Sequence, residues 1–129
     1  MNWTLGQLGL APLDEPTIIG YVGHGIGNLV RSVLEHLAPD RANELRATAL
    51  ELAARRYAAH ALDHTVPYPG VPEALRRLRA RGVRISVLTN KLHGPARDVL
   101  QHLSLGASVD ALLGGDDGVA LKPDPVGLC

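Results

Sequence analysis

Only two short stretches of this chain read as β-strands, and a helical segment lies between them. Val83, Ile85 and Val87 alternate with Arg84 and Ser86, and residues 109–113 form a second apolar run that ends at Gly114-Gly115. Pro95 opens the intervening helix, with Ala96, Val99, Leu100 and Leu103 on one face. Strand, helix, strand implies a parallel crossover unit, right-handed by default. A parallel sheet of two strands cannot cover both its faces and has no stable centre, so the pattern implies that the chain is part of something larger.

The chain ahead of this unit reads as helix. Residues 2–10 look like the tail of a helix ended by Gly9, and Pro12 and Pro16 punctuate a loop before a short helix over 17–22. Gly23-His24-Gly25-Ile26-Gly27 is a glycine-rich turn. Ile26, Val30, Val33, Leu34 and Leu37 follow at helical spacing, and Pro39 ends that segment. Asp40 is a good N-cap for a long helix over 41–63, rich in Ala, Leu, Glu and Arg. The proline-punctuated stretch 64–70 is the natural boundary, dividing residues 1–66 from 67–129. Beyond it, Pro72 sits where the first turn of a helix tolerates proline, Val71, Leu75 and Leu78 form a stripe, and Gly82 is the stop.

Composition narrows the function classes. Thirteen basic and thirteen acidic side chains give a net charge of zero, so no basic field exists to select nucleic acid or an anionic membrane. Aromatic residues are 3% of the chain, which further disfavours nucleic-acid binding. Hydrophobic residues, at 46%, are too many for a disordered chain, and no apolar run approaches the ~18 residues of a membrane span. Met1-Asn2-Trp3-Thr4 lacks the basic start and apolar block of a signal peptide, and Cys129, the single cysteine, suits a reducing cytoplasm. Eleven of the thirteen basic residues are arginine; the two lysines are Lys91 and Lys122. Either a GC-rich genome left two lysines behind, or those places need a compact ammonium.

In open α/β sheets, ligands bind beyond the carboxyl ends of the strands. Two such ends exist: Leu88-Thr89-Asn90-Lys91 and Gly114-Gly115-Asp116-Asp117, the latter followed by Lys122-Pro123. If the strands are neighbours, Thr89 and Lys122 converge on one crevice. A threonine hydroxyl and free backbone N–H groups at a strand-to-helix turn suit an anionic oxygen, and a lysine supplies a point charge for phosphate. Both lysines fall in loops at that edge.

The series Val87-Leu88-Thr89-Asn90-Lys91, Gly114-Gly115-Asp116-Asp117 and Lys122-Pro123-Asp124-Pro125 resembles the haloacid dehalogenase superfamily of phosphatases. Pro67-Tyr68-Pro69-Gly70-Val71 resembles the segment that returns from that family's helical cap to its core. Leu8-Gly9-Leu10 and Val22-Gly23-His24-Gly25 look like the cap of its phosphoglycolate phosphatase branch. The resemblance implies an α/β fold: a partial Rossmannoid core of parallel strands and flanking helices over 67–129, plus an α-helical cap over 1–66, with the tail of the first core helix at 1–10. It implies Mg²⁺-dependent hydrolysis of a small phosphomonoester, 2-phosphoglycolate first, through an aspartyl-phosphate. Thr89 matches the hydroxyl that binds the transferring phosphoryl oxygen, and Asn90 would offer its backbone N–H. Lys122 matches the lysine that balances negative charge, and Lys91 is placed to touch substrate. His24 and Gly25 would bring the cap near the substrate's carboxylate end.

The departures from that pattern carry equal weight. No Asp-x-Asp occurs in the sequence, so the nucleophile and the general acid have no counterpart, and the final acidic motif is missing too. Asp116 and Asp117 precede Lys122-Pro123 and read as the preceding loop, so no metal is assigned to them; the chain taken alone is expected to be catalytically deficient. A dehalogenase or phosphomutase of the same fold, and a non-catalytic remnant that binds anions or dimerises, are the rival readings. The partners expected are a small phosphorylated metabolite and, as an open option, a second copy of the chain. His60 and His64, one helical turn apart with Asp63 adjacent, have no third ligand at a firm spacing for Zn²⁺, and the glycines at 23, 25 and 27 do not follow a strand as a dinucleotide fingerprint requires. The arginine runs 55–56 and 76–81 read as solvated helix faces.

Overall fold

The computed structural model describes residues 1–128. They form two compact units, the first Met1–His60 and the second starting at Ala61.

The first unit is helical: α1 (Asn2–Gln7), α2 (Glu15–Gly20), α3 (Ile26–Leu37) and α4 (Ala42–His60). Gly9, at a φ of 68°, follows α1, as the glycine stop predicts. Asp14 caps α2: its carboxylate accepts the Thr17 N–H at 2.9 Å and the Thr17 hydroxyl at 2.7 Å. The expected stripe on α3 is the core, with Val30, Val33 and Leu34 fully buried. Val30 and Leu34 pack with Leu45, Ala49 and Ala53 of α4, and Met1, Leu8 and Leu10 close the cluster. The two alanines lie one turn apart on α4, so α3 can approach its backbone closely. Asp40 does not cap the long helix. It lies inside a 3₁₀ turn, Pro39–Arg41, that leads into α4, which ends at His60 rather than at residue 63. At the other end of the unit, the amide of Asn2 pairs with both backbone groups of Leu13, at 2.8 and 3.1 Å. The Arg56 guanidinium lies 5.4 Å from the centre of the Trp3 ring.

The second unit contains α5 (Val71–Ala80), β1 (Ser86–Leu88), α6 (His93–His102) and β2 (Ala111–Leu113). The strands are parallel neighbours, with Ser86 opposite Ala111, Val87 opposite Leu112 and Leu88 opposite Leu113. Pro72 sits in the first turn of α5, and Gly82, at a φ of 73°, closes its end. Both strands are shorter than their sequence patterns. The Val83 N–H bonds back to the Leu78 carbonyl to finish α5, and the Ile85 N–H is taken by the Asp110 carboxylate. Neither group is left for a ladder. Helix α6 begins two residues ahead of Pro95, because the His93 N–H is satisfied by Asp116 from the loop after β2. The mixture of a helical unit and a small parallel sheet with flanking helices is the α/β architecture expected from the sequence.

Candidate functional site

Parallel pairing brings the carboxyl ends of β1 and β2 side by side. Their pairing continues one step further, where the Thr89 N–H donates to the Leu113 carbonyl at 2.9 Å. The chain then turns. The Thr89 hydroxyl oxygen accepts the Lys91 N–H at 3.1 Å, which leaves the hydroxyl hydrogen to be donated elsewhere. Lys91 is half-buried, and desolvation holds its ammonium pKa below the usual lysine value.

The loop after β2 approaches this turn closely at Gly114 and Gly115. The Gly115 N–H donates to the Lys91 carbonyl at 2.8 Å. A Cβ on Gly115 would lie 2.6 Å from the Asn90 carbonyl oxygen, and one on Gly114 would lie 2.5 Å from the His93 nitrogen. The glycine pair is therefore what allows the two loops to touch. The aspartates that follow lock the contact. Asp116 accepts the His93 N–H at 2.7 Å, while Asp117 accepts the Gly114 N–H at 2.7 Å and lies 2.6 Å from His93 Nδ1. The Asp117 carboxyl is held below its usual pKa, first by the Gly114 N–H and then by the His93 ring.

Farther along, the Asn90 side chain reaches across to residue 122. Its Oδ1 accepts the Lys122 N–H at 2.7 Å, and its Nδ2 donates to the Lys122 carbonyl at 3.0 Å. Lys122 itself is exposed. The chain then passes into a 3₁₀ turn, Pro125–Leu128, and Gly127 packs so closely on the Leu88 methyls that a Cβ there would lie 2.9 Å from one of them.

Thr89, Asn90, Lys91 and Lys122, singled out from sequence, thus belong to one loop cluster at the carboxyl end of the sheet. His24 and Gly25 belong to the first unit, in the turn ahead of α3, where Gly25 takes a φ of 83° as the residue before the helix. Sequence reasoning missed the Asn90 side chain and assigned only its backbone. It also missed the brace at the opposite end of the sheet. There Arg79, read as part of a solvated face, holds both oxygens of Asp110 at 2.7 Å. The Asp110 carboxyl is kept below its usual pKa, first by the Ile85 N–H and then by Arg79. A cavity of about 650 Å³ opens beside α6 and β2, lined by His93, Arg97, Gln101 and Ser104 among others, and it does not include Thr89, Asn90, Lys91 or Lys122.

Among the described residues, no group of three or more His, Cys, Asp or Glu side chains is arranged to hold a metal ion. Asp116 and Asp117 already bind His93 and Gly114. The donor set present therefore does not fit Mg²⁺. No helix among the described residues is long and apolar enough to cross a membrane.

Residues 11–129 match the family model for haloacid dehalogenase-like hydrolases, and the chain belongs to that family. It is 39% identical over 132 residues to a phosphoglycolate phosphatase of Rhodospirillum rubrum, an alignment that covers 99% of this chain and 55% of that protein. It is 36% identical to a phosphoglycolate phosphatase of Neisseria meningitidis, over 96% of this chain and 53% of the other. Among solved structures, a protein described as a predicted phosphoglycolate phosphatase from Haemophilus somnus superposes with a TM-score of 0.84 at 23% identity, over 98% of this chain and 58% of that one. That likeness shows the fold. The chain spans about half the length of the curated relatives it matches.

Proposed function

We propose that this chain serves a phosphatase that hydrolyses a small phosphomonoester, with 2-phosphoglycolate as the foremost substrate, and that it contributes the phosphate-binding side of the site. The observation that supports this most is the pairing of Asn90 with the Lys122 backbone, which ties the only lysine of the loop after β2 to the Thr89 turn. In this reading the Thr89 hydroxyl donates to a phosphoryl oxygen. The Lys122 ammonium offsets charge that builds as a carboxylate approaches a phosphate dianion. The Asn90 N–H and Lys91 complete the anion's surroundings. The names of the relatives favour a phosphatase over a dehalogenase or mutase.

Mg²⁺, which the family resemblance implies, has no ligand set among the described residues of this chain. With no Asp-x-Asp in its sequence, the chain alone binds phosphate without turning over an ester. We also assign the protein to the cytoplasm, on its single cysteine, and leave a homodimer as an option that light scattering of the purified chain decides.

Titration of inorganic phosphate and of 2-phosphoglycolate, followed by ³¹P and amide NMR, tests the reading. Saturable binding that weakens about tenfold or more in Lys122→Ala and in Thr89→Val is expected, since a charge-assisted bond is worth about 1.5–3 kcal/mol. Binding that ignores both substitutions overturns it.

A further inference from the structure

We propose that Asn90 is a positioning residue, whose side-chain amide sets where the Lys122 ammonium stands relative to a phosphate at Thr89. The inference rests on the phosphate-binding reading above and adds a role for a side chain that reading leaves aside.

One hydrogen bond would let the Lys122 peptide swivel about it. Asn90 makes two, one accepted and one donated, to the N–H and the carbonyl of the same residue. That pair fixes both the place and the tilt of Lys122, and so the direction in which its side chain leaves the loop. A planar amide with one donor and one acceptor is required: aspartate lacks the donor, and an aliphatic side chain lacks both. The other side of the cluster is equally constrained, because the Gly115 N–H holds the Lys91 carbonyl and no side chain fits at Gly115. Asn90 and Thr89 are adjacent, so the amide that orients the lysine grows from the same turn that presents the hydroxyl. A long lysine side chain has many rotamers. Fixing its root removes much of the search that binding would otherwise have to overcome.

The molecule contains its own control. Asn2 makes the same two-bond contact with the backbone of Leu13 in the helical unit, where no lysine is held. If amide clamps matter only for folding, Asn2→Ala and Asn90→Ala should behave alike.

The test is a double-substitution cycle on the whole chain, with inorganic phosphate as the probe and the melting temperature recorded for each variant. Asn90→Ala should weaken phosphate about tenfold, and Lys122→Ala at least as much, while the double variant should be no weaker than Lys122→Ala alone. Asn2→Ala should lower the melting temperature and leave phosphate affinity unchanged. If Asn90→Ala does not fold, Asn90→Gln replaces it in the cycle, since it keeps the amide but displaces it by a methylene. Losses that add in the double variant assign Asn90 a direct contact with the anion and overturn the positioning role, as does an Asn90→Ala variant that binds like the parent. Absence of saturable binding in the parent chain overturns the phosphatase reading instead. Amide hydrogen exchange at Lys122, slow in the parent and fast in Asn90→Ala, then still decides whether the clamp holds, and equal exchange overturns it.

Discussion

The two units are held together by different physics. The helical unit buries side chains outright: Leu5 and Ala49 are 0% exposed and Leu34 is 1% exposed. In the α/β unit the buried hydrophobic side chains among the described residues are Ala96, at 5% exposed, and Leu105, at 8%, while Leu113, on a strand, remains 37% exposed. What that unit lacks in apolar burial it replaces with polar braces at both ends of its sheet. Asp110 with Arg79 and Ile85 closes the amino end; Asp117 with His93 and Gly114, and Asn90 with Lys122, close the carboxyl end. A core resists any change of shape, whereas a brace specifies the position of one loop against another. The candidate site lies in the braced unit, where placement of a few groups matters more than density.

From that contrast, the largest single loss is expected in the helical core. Leu34→Ala should cost about 2–5 kcal/mol, read from denaturant unfolding, because a cavity opens between α3 and α4. A change below 1 kcal/mol would mean that this core is loose. Next comes Gly114→Ala, which forces a methyl against the backbone of His93 and should cost about 1–3 kcal/mol and separate the two loops. Loss of the Gly115 amide's protection from exchange would show that separation.

Acid should act more on the braced unit than on the packed one. Asp110 and Asp117 have pKa values lowered by folding, so their stabilisation is complete above the unfolded carboxyl value, near 3.8, and is lost as pH falls through the lower folded values. The helical unit has one such group described, Asp14, lowered first by the Thr17 hydroxyl. Residue-resolved hydrogen exchange below about pH 4 should therefore show the sheet ends opening before α3 and α4. The reverse order would break the comparison. The smallest effect is expected at Arg31→Ala, which removes an exposed pair with Glu35 at 3.8 Å and should change stability by less than about 0.5 kcal/mol.

How far these features could be read from sequence follows the same division. The α3 stripe and the α5 stop were legible because apolar periodicity and a glycine at positive φ act locally. The paired strands were legible as a pattern, but their lengths were not. Competition from Asp110 for the Ile85 N–H depends on a contact 25 residues away in sequence. Thr89 and Lys122 stood out by type and place. Asn90's side chain did not, since an amide that bonds a backbone 32 residues away leaves no periodic trace. The glycine pair at 114–115 was visible, and its reason was not, because close approach needs a partner surface to be defined.

Trp3 is the single tryptophan of the chain, and it lies beneath Arg56 on α4. Its emission is therefore an optical signal native to the helical unit. Followed together with far-ultraviolet dichroism, it lets the melting of one half be timed against the other without any label.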